Sequence, residues 1–341
     1  MYFILVIVLF QALNAYLPQK VIICGVCKNV EHRVKYSIKI MEKIGALFSD
    51  YRIVVYENNS TDKTPRILKK WQEKNNKVKV YSEVLSQDQL EAAMINRMEH
   101  NKIFPPEAIA RARNIVLKKA HSSRYDGFDY IIWMDMDFKR EPNYQGFIEV
   151  FTSNREWDAV SAYGIDPENT YWDWYALRDQ NCPLGSELLG NDWWYLPRNK
   201  KFLTPHDDWY PVYSAFGGCC IYKKEATKNC RYSALVTQDL ATFYKKIIAE
   251  QPTHAIVCRY KDMLGTLSPV IEISKRNLLT DIRNPTAGIK ISEIPEIIWR
   301  MSSFVNKYPS VCEHVTFHAS MIVHGYDKHY INPRLLFNYG G

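Results

Sequence analysis

The chain has 341 residues, of which 47% are hydrophobic and 24% are charged, with a formal net charge of +7 at pH 7. These proportions are typical of globular proteins and exclude a disordered or collagen-like chain. The basic excess is mild and forms no dense Lys/Arg block of the kind found in nucleic-acid-binding arms, so we expect no nucleic-acid partner.

An apolar segment occupies the amino terminus, predicted as residues 1–17. Its uniformly apolar part, MYFILVIVLFQALNA, is shorter than the roughly 20 residues that a membrane-spanning helix needs. Three interpretations remain open: a cleaved signal peptide, an uncleaved anchor, or a first element of the fold. The first two predict a protein of the secretory pathway or one associated with a membrane through this segment. Residues 18–341 are predicted to form one domain.

Short apolar runs then alternate with longer mixed segments. The predicted strands are 21–27, 51–56, 78–81, 130–134, 159–162 and 215–222, and the predicted helices are 31–48, 64–71 and 107–120. This alternation predicts an α/β fold with a mostly parallel central sheet flanked by helices. Residues 163–213 are aromatic and rich in loops, whereas residues 235–310 show no motif and are expected to be irregular.

Two carboxylates, Asp135 and Asp137, directly follow the buried strand 130–134. Such a pair can bind one hard cation, Mn²⁺ or Mg²⁺, that keeps coordination positions open for phosphate oxygens. The cation would neutralise a diphosphate leaving group. The alternative is a loop that simply begins with Asp, because this spacing also arises by chance.

Polar residues also follow other predicted strands, namely Asn29 after the first and Glu57 to Asp62 after the second. In open parallel sheets, ligands bind outside the carboxyl ends of the strands, so these residues and Asp135 should converge on one crevice. Glu57 could accept hydrogen bonds from a base or a ribose, and Asp62 belongs to the same predicted set. The alternative is a helix-capping role, which suits Asp62 better than Glu57.

Two arginines, Arg111 and Arg113, lie on the helix before the Asp135 strand, and about 200° of rotation separates them. One can bind a diphosphate or contact the Asp135 loop, because a guanidinium pairs with phosphate through two hydrogen bonds. We favour Arg113, together with Asn114, for the site.

A later group comprises Glu313, His314 and His318. The two histidines share one face if this segment is a helix, although a single histidine is more often structural. Glu313 is the candidate base for an acceptor hydroxyl. If the reaction retains configuration, Glu313 would only position the acceptor.

Gly217 and Gly218 precede a predicted strand and would let the backbone approach a sugar or an acceptor closely. Trp172 and Trp174 could stack on an acceptor sugar. The alternatives are an ordinary turn for the glycines and core packing for the tryptophans.

Residues 55–64 resemble the second-strand loop of GT-A glycosyltransferases, which have a Rossmann-like α/β sheet. Within that fold, the chain resembles the cryptococcal mannosyltransferase and capsule-associated protein family. The matching pieces are 22–31, 57–62, 110–114, the Asp135 motif, 216–218, 312–318 and 331–334. The order and spacing of these pieces make the resemblance specific, and the stretch between Cys230 and Cys312 departs from it.

The resemblance implies a metal-dependent glycosyltransferase that moves a hexose, mannose as the best guess, from a GDP- or UDP-sugar. The acceptor would be a hydroxyl of a carbohydrate or glycoconjugate. The implied donor-binding residues are Cys24, Glu57, Asp62, Arg111, Arg113, Asn114 and Asp135. It further implies His318 as a third metal ligand, with His324 as a rival. A nucleotidyltransferase on the same sheet and a non-catalytic carbohydrate-binding protein remain alternatives.

Overall fold

A central sheet organises the structure, a computed structural model that describes residues 17–92, 97–98, 102–103, 105–190, 193, 196, 203–264 and 311–338. Its strands, together with the separate hairpin β4–β5, are β1 Leu17–Cys27, β2 Phe48–Asn58, β3 Val78–Glu83, β4 Arg97–Met98, β5 Lys102–Ile103, β6 Tyr130–Met134, β7 Ala159–Ile165, β8 Tyr210–Pro211, β9 Cys219–Lys223 and β10 His329–Asn338. The eight strands of the main sheet follow the order β3-β2-β1-β6-β9-β7-β10-β8. All of these run in one direction except β8 and β9, so the predicted mostly parallel α/β sheet is confirmed.

Helices cover both faces of this sheet. They are α1 Glu31–Gly45, α2 Thr64–Lys74, α3 Gln87–Ala92, α4 Pro105–Ala120, α5 Tyr144–Thr152, α6 Ser186–Leu189, α7 Gln238–Glu250, α8 Ala255–Leu264 and α9 Glu313–Val323. Short 3₁₀ turns lie at Ser123–Tyr125 and Glu225–Thr227.

The core consists of two large apolar clusters, one on each face of the sheet. One cluster packs α4, α7 and α9 against the sheet, with Val116, Leu240 and Phe317 fully buried. The other packs α1, α2 and α5, with Met41 and Leu68 fully buried. Both faces of β1 and β6 are therefore covered, which explains why these strands are continuous apolar runs.

Two features of the middle of the chain differ from the sequence prediction. The strand predicted from residue 215 begins only at Cys219, because Gly217 and Gly218 have φ values of +61° and +87° and form a turn. The strand β9 then runs antiparallel between β6 and β7, an insertion that alternation alone does not reveal.

The irregular segment predicted for residues 235–310 is wrong for its first part, which forms α7 and α8. The α7 helix begins at a capping residue, Thr237, whose hydroxyl accepts a hydrogen bond from the backbone N–H of Leu240. Leu240, Tyr244 and Ile247 then recur on one buried face. Residues 265–310 lie outside the described residues.

The predicted amino-terminal segment lies outside the described residues except for its last position. Leu17 is the first residue of β1, and its side chain is buried. The boundary predicted at residue 17 therefore overlaps the sheet by one residue. In the part of the chain that the structure describes, no helix has the length and apolar character needed to cross a membrane.

Candidate active site

A cleft of about 630 Å³ opens beside the carboxyl ends of β1, β2 and β6. Its lining includes Lys28, Asn58, Ala112, Asp135, Asp137 and Trp172. Residues that follow three different parallel strands thus meet in one place, as the position of ligand sites in open α/β sheets predicts.

The loops after β1 and β2 are joined by hydrogen bonds from backbone N–H groups to side-chain oxygens. The Asn29 N–H donates to Ser60 Oγ at 3.0 Å, and the Thr61 N–H donates to Asn29 Oδ1 at 2.8 Å. Asn29 has a φ of 54°, in the left-handed region that asparagine tolerates. These contacts fix the two loops on one side of the cleft relative to each other.

Asp62 joins the amino termini of α1 and α2. Its carboxylate accepts the Glu31 N–H at 3.0 Å and the Thr64 N–H at 2.9 Å. Partial desolvation opposes ionisation, but the hydrogen bonds from Thr64 and Glu31 outweigh it and lower the pKa of Asp62. The structure therefore gives Asp62 helix-capping contacts, and its place among the donor-binding residues stays a prediction.

Glu57 is buried, with 1% of its surface exposed. Its Oε1 accepts the backbone N–H of Ser60 at 2.9 Å, and its Oε2 accepts the hydroxyl of Ser82 at 2.5 Å. Both oxygens are thus used inside the protein, where they shape the end of β2. The next residue, Asn58, lines the cleft, and the contact of Glu57 with a nucleoside stays a prediction.

The two predicted metal-binding carboxylates both line the cleft. The Asp135 N–H donates to the Gly218 carbonyl at 3.0 Å, which extends the β6–β9 ladder by one residue. Asp137 is held by Arg33 of α1, whose Nη1 donates to the Asp137 carbonyl at 3.3 Å and lies 3.9 Å from its Oδ2. The two Asp side chains are 29% and 47% exposed, so a cleft ligand can reach them.

Arg113 is the buried charge at the centre of the site, with 4% of its side chain exposed. Its Nε donates to Glu313 Oε1 at 3.2 Å, and its Nη2 donates to Asp135 Oδ1 at 3.4 Å. The guanidinium also lies 4.8 Å from the ring centre of Phe216 and 5.2 Å from that of Trp133. Burial opposes its charge, but Glu313 and Asp135 more than compensate and raise the pKa of Arg113.

One atom of this guanidinium, Arg113 Nη1, is buried and has no hydrogen-bond partner among the described residues. A buried cationic donor without a partner is costly. Arg113 is also one of the residues that line the cleft.

The other residues that sequence reasoning placed beside Arg113 serve different contacts. Arg111 points away from it and donates to the Tyr56 hydroxyl at 2.7 Å and to Glu83 Oε2 at 3.2 Å. The Asn114 amide pairs with the backbone of Tyr232, donating at 2.8 Å and accepting at 2.9 Å. Both residues are thus structural here, so only Arg113 of the three meets Asp135.

Two further residues predicted for the site, Cys24 and His318, are buried. The Cys24 thiol is fully buried in the apolar core, and desolvation raises its pKa, so it does not line the cleft. His318 is 1% exposed, and its ring nitrogens hydrogen-bond with the hydroxyls of Tyr222 and Ser214 at 2.9 and 3.0 Å. Its rival, His324, hydrogen-bonds with a backbone carbonyl one turn earlier at 2.7 Å.

Neither histidine therefore joins the two aspartates. Within the described ranges, no three His, Cys, Asp or Glu side chains come together in a way that could hold a metal ion. A divalent cation in the cleft would have Asp135 and Asp137 as its protein ligands. Their carboxylate oxygens are the donors that Mn²⁺ and Mg²⁺ prefer, and substrate phosphates commonly complete such a site.

Glu313 begins α9 and lies behind Arg113, with 9% of its side chain exposed. Its neighbour His314 stacks on Phe216, with ring centres 3.8 Å apart and planes at 17°. Burial and nearby Arg113 lower the pKa of His314. The ion pair with Arg113 occupies one oxygen of Glu313, and the role of Glu313 as a base stays a prediction.

The two tryptophans predicted to bind an acceptor differ in their surroundings. Trp172 is 57% exposed and lines the cleft, whereas Trp174 packs edge-on against Tyr171 with ring centres 5.5 Å apart. A Cβ at Gly217 would lie 2.2 Å from the carbonyl oxygen of Ala162. Gly217 is therefore required by close packing against Ala162 inside the protein. The sequence predicted a close backbone approach at this glycine, but to a sugar or an acceptor.

Asp173 is not among the residues that the sequence predicted for the site, although the tryptophans on either side of it are. The Asp173 carboxylate accepts the Gly217 N–H at 3.0 Å and the Ala176 N–H at 3.3 Å. Burial raises its pKa to about 6, and Glu313 adds to this rise, while the two backbone donors and Arg113 act in the opposite direction. The only sequence signal was an acidic residue between two tryptophans.

A family model described as Cryptococcal mannosyltransferase 1 matches residues 20–247. This is about two thirds of the 341 residues. The chain belongs to this family. The predicted family is thereby confirmed. No curated protein sequence matches the chain.

Solved structures provide more distant similarities. The chain is 14% identical to the mannosyltransferase PcManGT from Pyrobaculum calidifontis in complex with GDP-Man and Mn²⁺, covering 67% of this chain and 53% of that one at a TM-score of 0.36. It is 15% identical to S. aureus TarS 1-349 in complex with UDP-GlcNAc, covering 63% and 49% at a TM-score of 0.35. It is 17% identical to mannosyl-3-phosphoglycerate synthase from Rubrobacter xylanophilus, covering 61% and 54% at 0.34. The chain thus spans about half the length of these proteins, and 30% of another solved S. aureus TarS chain.

Proposed function

We propose that the protein transfers a mannosyl residue from a nucleoside diphosphate sugar to a hydroxyl of a carbohydrate or glycoconjugate. The observation that carries this proposal is one cleft lined by Asp135, Asp137 and Arg113 at the carboxyl ends of the parallel strands. Membership of a mannosyltransferase family supports the sugar. GDP-mannose is the first donor to test, and UDP-sugars are the second.

The donor diphosphate belongs beside Asp135 and Asp137. We propose that these carboxylates hold one Mn²⁺ or Mg²⁺, which supplies charge neutralisation to the departing diphosphate. Arg113 Nη1 then offers a buried donor to a diphosphate oxygen. Glu313 keeps the guanidinium in place from its other side at 3.2 Å.

The nucleoside belongs on the side of the cleft formed by the loop after β2 and by α4. Asn58 offers an amide there, while Ala108, Ile109 and Ala112 form an apolar wall. An apolar wall suits the flat face of a base, and an amide can hydrogen-bond to its edge. With the base in this position, substitutions at Asn58 should change which nucleotide the protein accepts and should not change which sugar it transfers.

The acceptor belongs near Trp172, whose indole is exposed at the cleft. Exposed aromatic rings provide large apolar contact faces with little loss of conformational entropy. We propose that an acceptor sugar stacks on this ring, so that its hydroxyl faces the donor carbon. Trp174, packed into the protein, keeps the segment in place.

A donor panel tests this function. Release of nucleoside diphosphate from GDP-mannose and UDP-sugars is measured with Mn²⁺, with chelator, and in the variant Asp137→Ala. We expect Mn²⁺-dependent release from one donor and a loss of at least 100-fold in the variant, since a group that stabilises leaving-group charge contributes on this order. The matched control is Asp208→Ala, because this Asp is 78% exposed and pairs with Arg155 on the surface.

The rival functions predict different products. A nucleotidyltransferase would instead release pyrophosphate from a nucleoside triphosphate. A non-catalytic carbohydrate-binding protein would bind glycans equally well with and without chelator and would release no nucleotide. Donor release that is the same with chelator and with Mn²⁺ would contradict the proposed metal dependence.

A further inference from the structure

The turn that carries Gly217 and Gly218 supports the backbone of Asp135. The Asp135 N–H donates to the Gly218 carbonyl at 3.0 Å, one residue beyond the last β6–β9 pair, Met134 and Cys219. The position of the Asp135 carboxylate therefore depends on the position of this carbonyl. A group that fixes the position of this turn therefore also fixes the position of Asp135 at the cleft.

This turn is confined and conformationally demanding. Gly217 and Gly218 both have positive φ values, +61° and +87°, which residues other than glycine rarely adopt. Its backbone approaches β7 so closely that a Cβ at Gly164 would lie 2.6 Å from the Gly217 carbonyl oxygen. A turn in this conformation needs partners for its backbone polar groups, because the ladder cannot supply them.

Asp173 supplies one of these partners. Its Oδ2 accepts the Gly217 N–H at 3.0 Å, and its Oδ1 accepts the N–H of Ala176 at 3.3 Å. The preceding residue, Trp172, is tied to β7 through its own N–H, which donates to the Gly164 carbonyl at 2.9 Å. The carboxylate thus connects the aromatic segment, at the exposed tryptophan, to the turn beneath Asp135.

We propose that Asp173 is a positioning residue for the metal-binding carboxylate of Asp135, acting through the Gly217–Gly218 turn. The inference rests on the proposed function, because it assigns Asp173 to the donor and metal side of that same site. Asp173 itself need not touch the donor or the cation. The required chemistry is that of a carboxylate or amide oxygen that accepts the Gly217 N–H.

Three variants test the proposal. Asp173→Ala removes both oxygens, whereas Asp173→Asn keeps one carbonyl oxygen that can accept the Gly217 N–H. Asp179→Ala is the matched control. Asp179 lies in the same aromatic segment and also accepts backbone N–H groups, from Asn181 at 2.9 Å and Cys182 at 2.7 Å. Its Oδ2 accepts the Tyr210 hydroxyl at 2.9 Å, and these three partners lie outside the Gly217–Gly218 turn.

The first readout is Mn²⁺ affinity in the presence of GDP, measured by calorimetry on the full chain. We expect a roughly fivefold to tenfold loss for Asp173→Ala, at the lower end of the effect of removing a group that orients a metal ligand. The variants Asp173→Asn and Asp179→Ala should stay within about twofold of the wild type. Unchanged affinity in Asp173→Ala, or an equal loss in Asp179→Ala, overturns the proposal.

The second readout needs neither metal nor substrate. Backbone amide hydrogen exchange in segments 130–137 and 215–222 should accelerate in Asp173→Ala and remain as in the wild type for Asp173→Asn and Asp179→Ala. If the wild type binds no Mn²⁺ with GDP, the proposed metal-dependent function fails, while the exchange readout still decides the role of Asp173. Slow exchange at both segments in Asp173→Ala overturns the positioning role.

Discussion

The two sides of the cleft are held together in different ways. On one side, the loops after β1 and β2 are fixed by backbone groups and short polar side chains, such as Asn29 with Thr61 and Asp62 with Glu31. On the other side, around Arg113, buried side chains far apart in sequence provide the contacts. The ion pair of Arg113 with Glu313 joins residues 200 positions apart.

This difference shows which side tolerates change. Exposed loops with several redundant hydrogen bonds lose little when one bond is removed. A buried charge with one good partner loses much, because the remaining charge stays desolvated. We therefore expect the largest effects at Arg113 and the smallest at the surface of the cleft.

Arg113→Ala should have the largest effect. It leaves Glu313 buried without its cationic partner and removes the donor beside Asp135, so we expect a loss of about 3–5 kcal/mol in the free energy of unfolding and at least 100-fold in turnover. Chemical denaturation and release of GDP from GDP-mannose measure the two effects.

Arg111→Ala is the control for this change, since Arg111 lies on the same helix but is 27% exposed and pairs with Glu83. Its removal should change stability by about 1 kcal/mol or less and leave turnover within twofold. Equal losses in the two variants would show that the buried ion pair is not what distinguishes the two sides.

Gly217→Ala should have the next largest effect. The added Cβ meets the Ala162 carbonyl oxygen at 2.2 Å, and the residue has a φ of +61°. We expect about 2–5 kcal/mol of destabilisation from strain and overpacking together, seen as a lower Tm. Gly127→Ala measures the destabilisation that backbone strain alone causes. Gly127 also has a positive φ, +81°, but nothing lies within 4 Å of the added Cβ. It should lose only about 1–2 kcal/mol, and a similar loss in both variants would exclude close packing as the cause.

Sequence reasoning recovered the features that local patterns encode. The strand runs, the amino-terminal proline of α2 and the two carboxylates after β6 follow from neighbouring residues, and they placed the sheet, α2 and the cleft correctly. The contacts of Glu57 and His318 did not follow, because each depends on partners brought together only by the fold, such as Ser82 and Tyr222. An acidic residue at a strand end and a histidine on a helix have the same sequence signal whether they face a ligand or the protein interior.

Asp62→Ala tests the side of the cleft formed by the loops after β1 and β2. Two helix N–H groups lose their acceptor, and we expect about 1–2 kcal/mol of destabilisation at pH 7. Because hydrogen bonds lower the pKa of Asp62 in the folded state, its stabilisation is present above about pH 4 and is lost as the pH falls through the folded pKa. The difference in Tm between wild type and variant should therefore shrink in acid, and a difference that grows in acid would contradict the capping role.

The smallest effect on stability should come from Trp172→Ala, which nevertheless tests the acceptor side directly. The ring is 57% exposed, so the free energy of unfolding should change by about 0.5 kcal/mol or less. Loss of a stacking face should raise the KM for a test acceptor, methyl α-mannoside, about 3- to 10-fold, while hydrolysis of GDP-mannose without acceptor stays unchanged. Trp174→Ala is the contrast, because this ring packs against Tyr171 and its removal should lower the Tm. If Trp172→Ala impairs donor hydrolysis as strongly as transfer, the ring serves the donor, and the division of the cleft into two differently held sides is wrong.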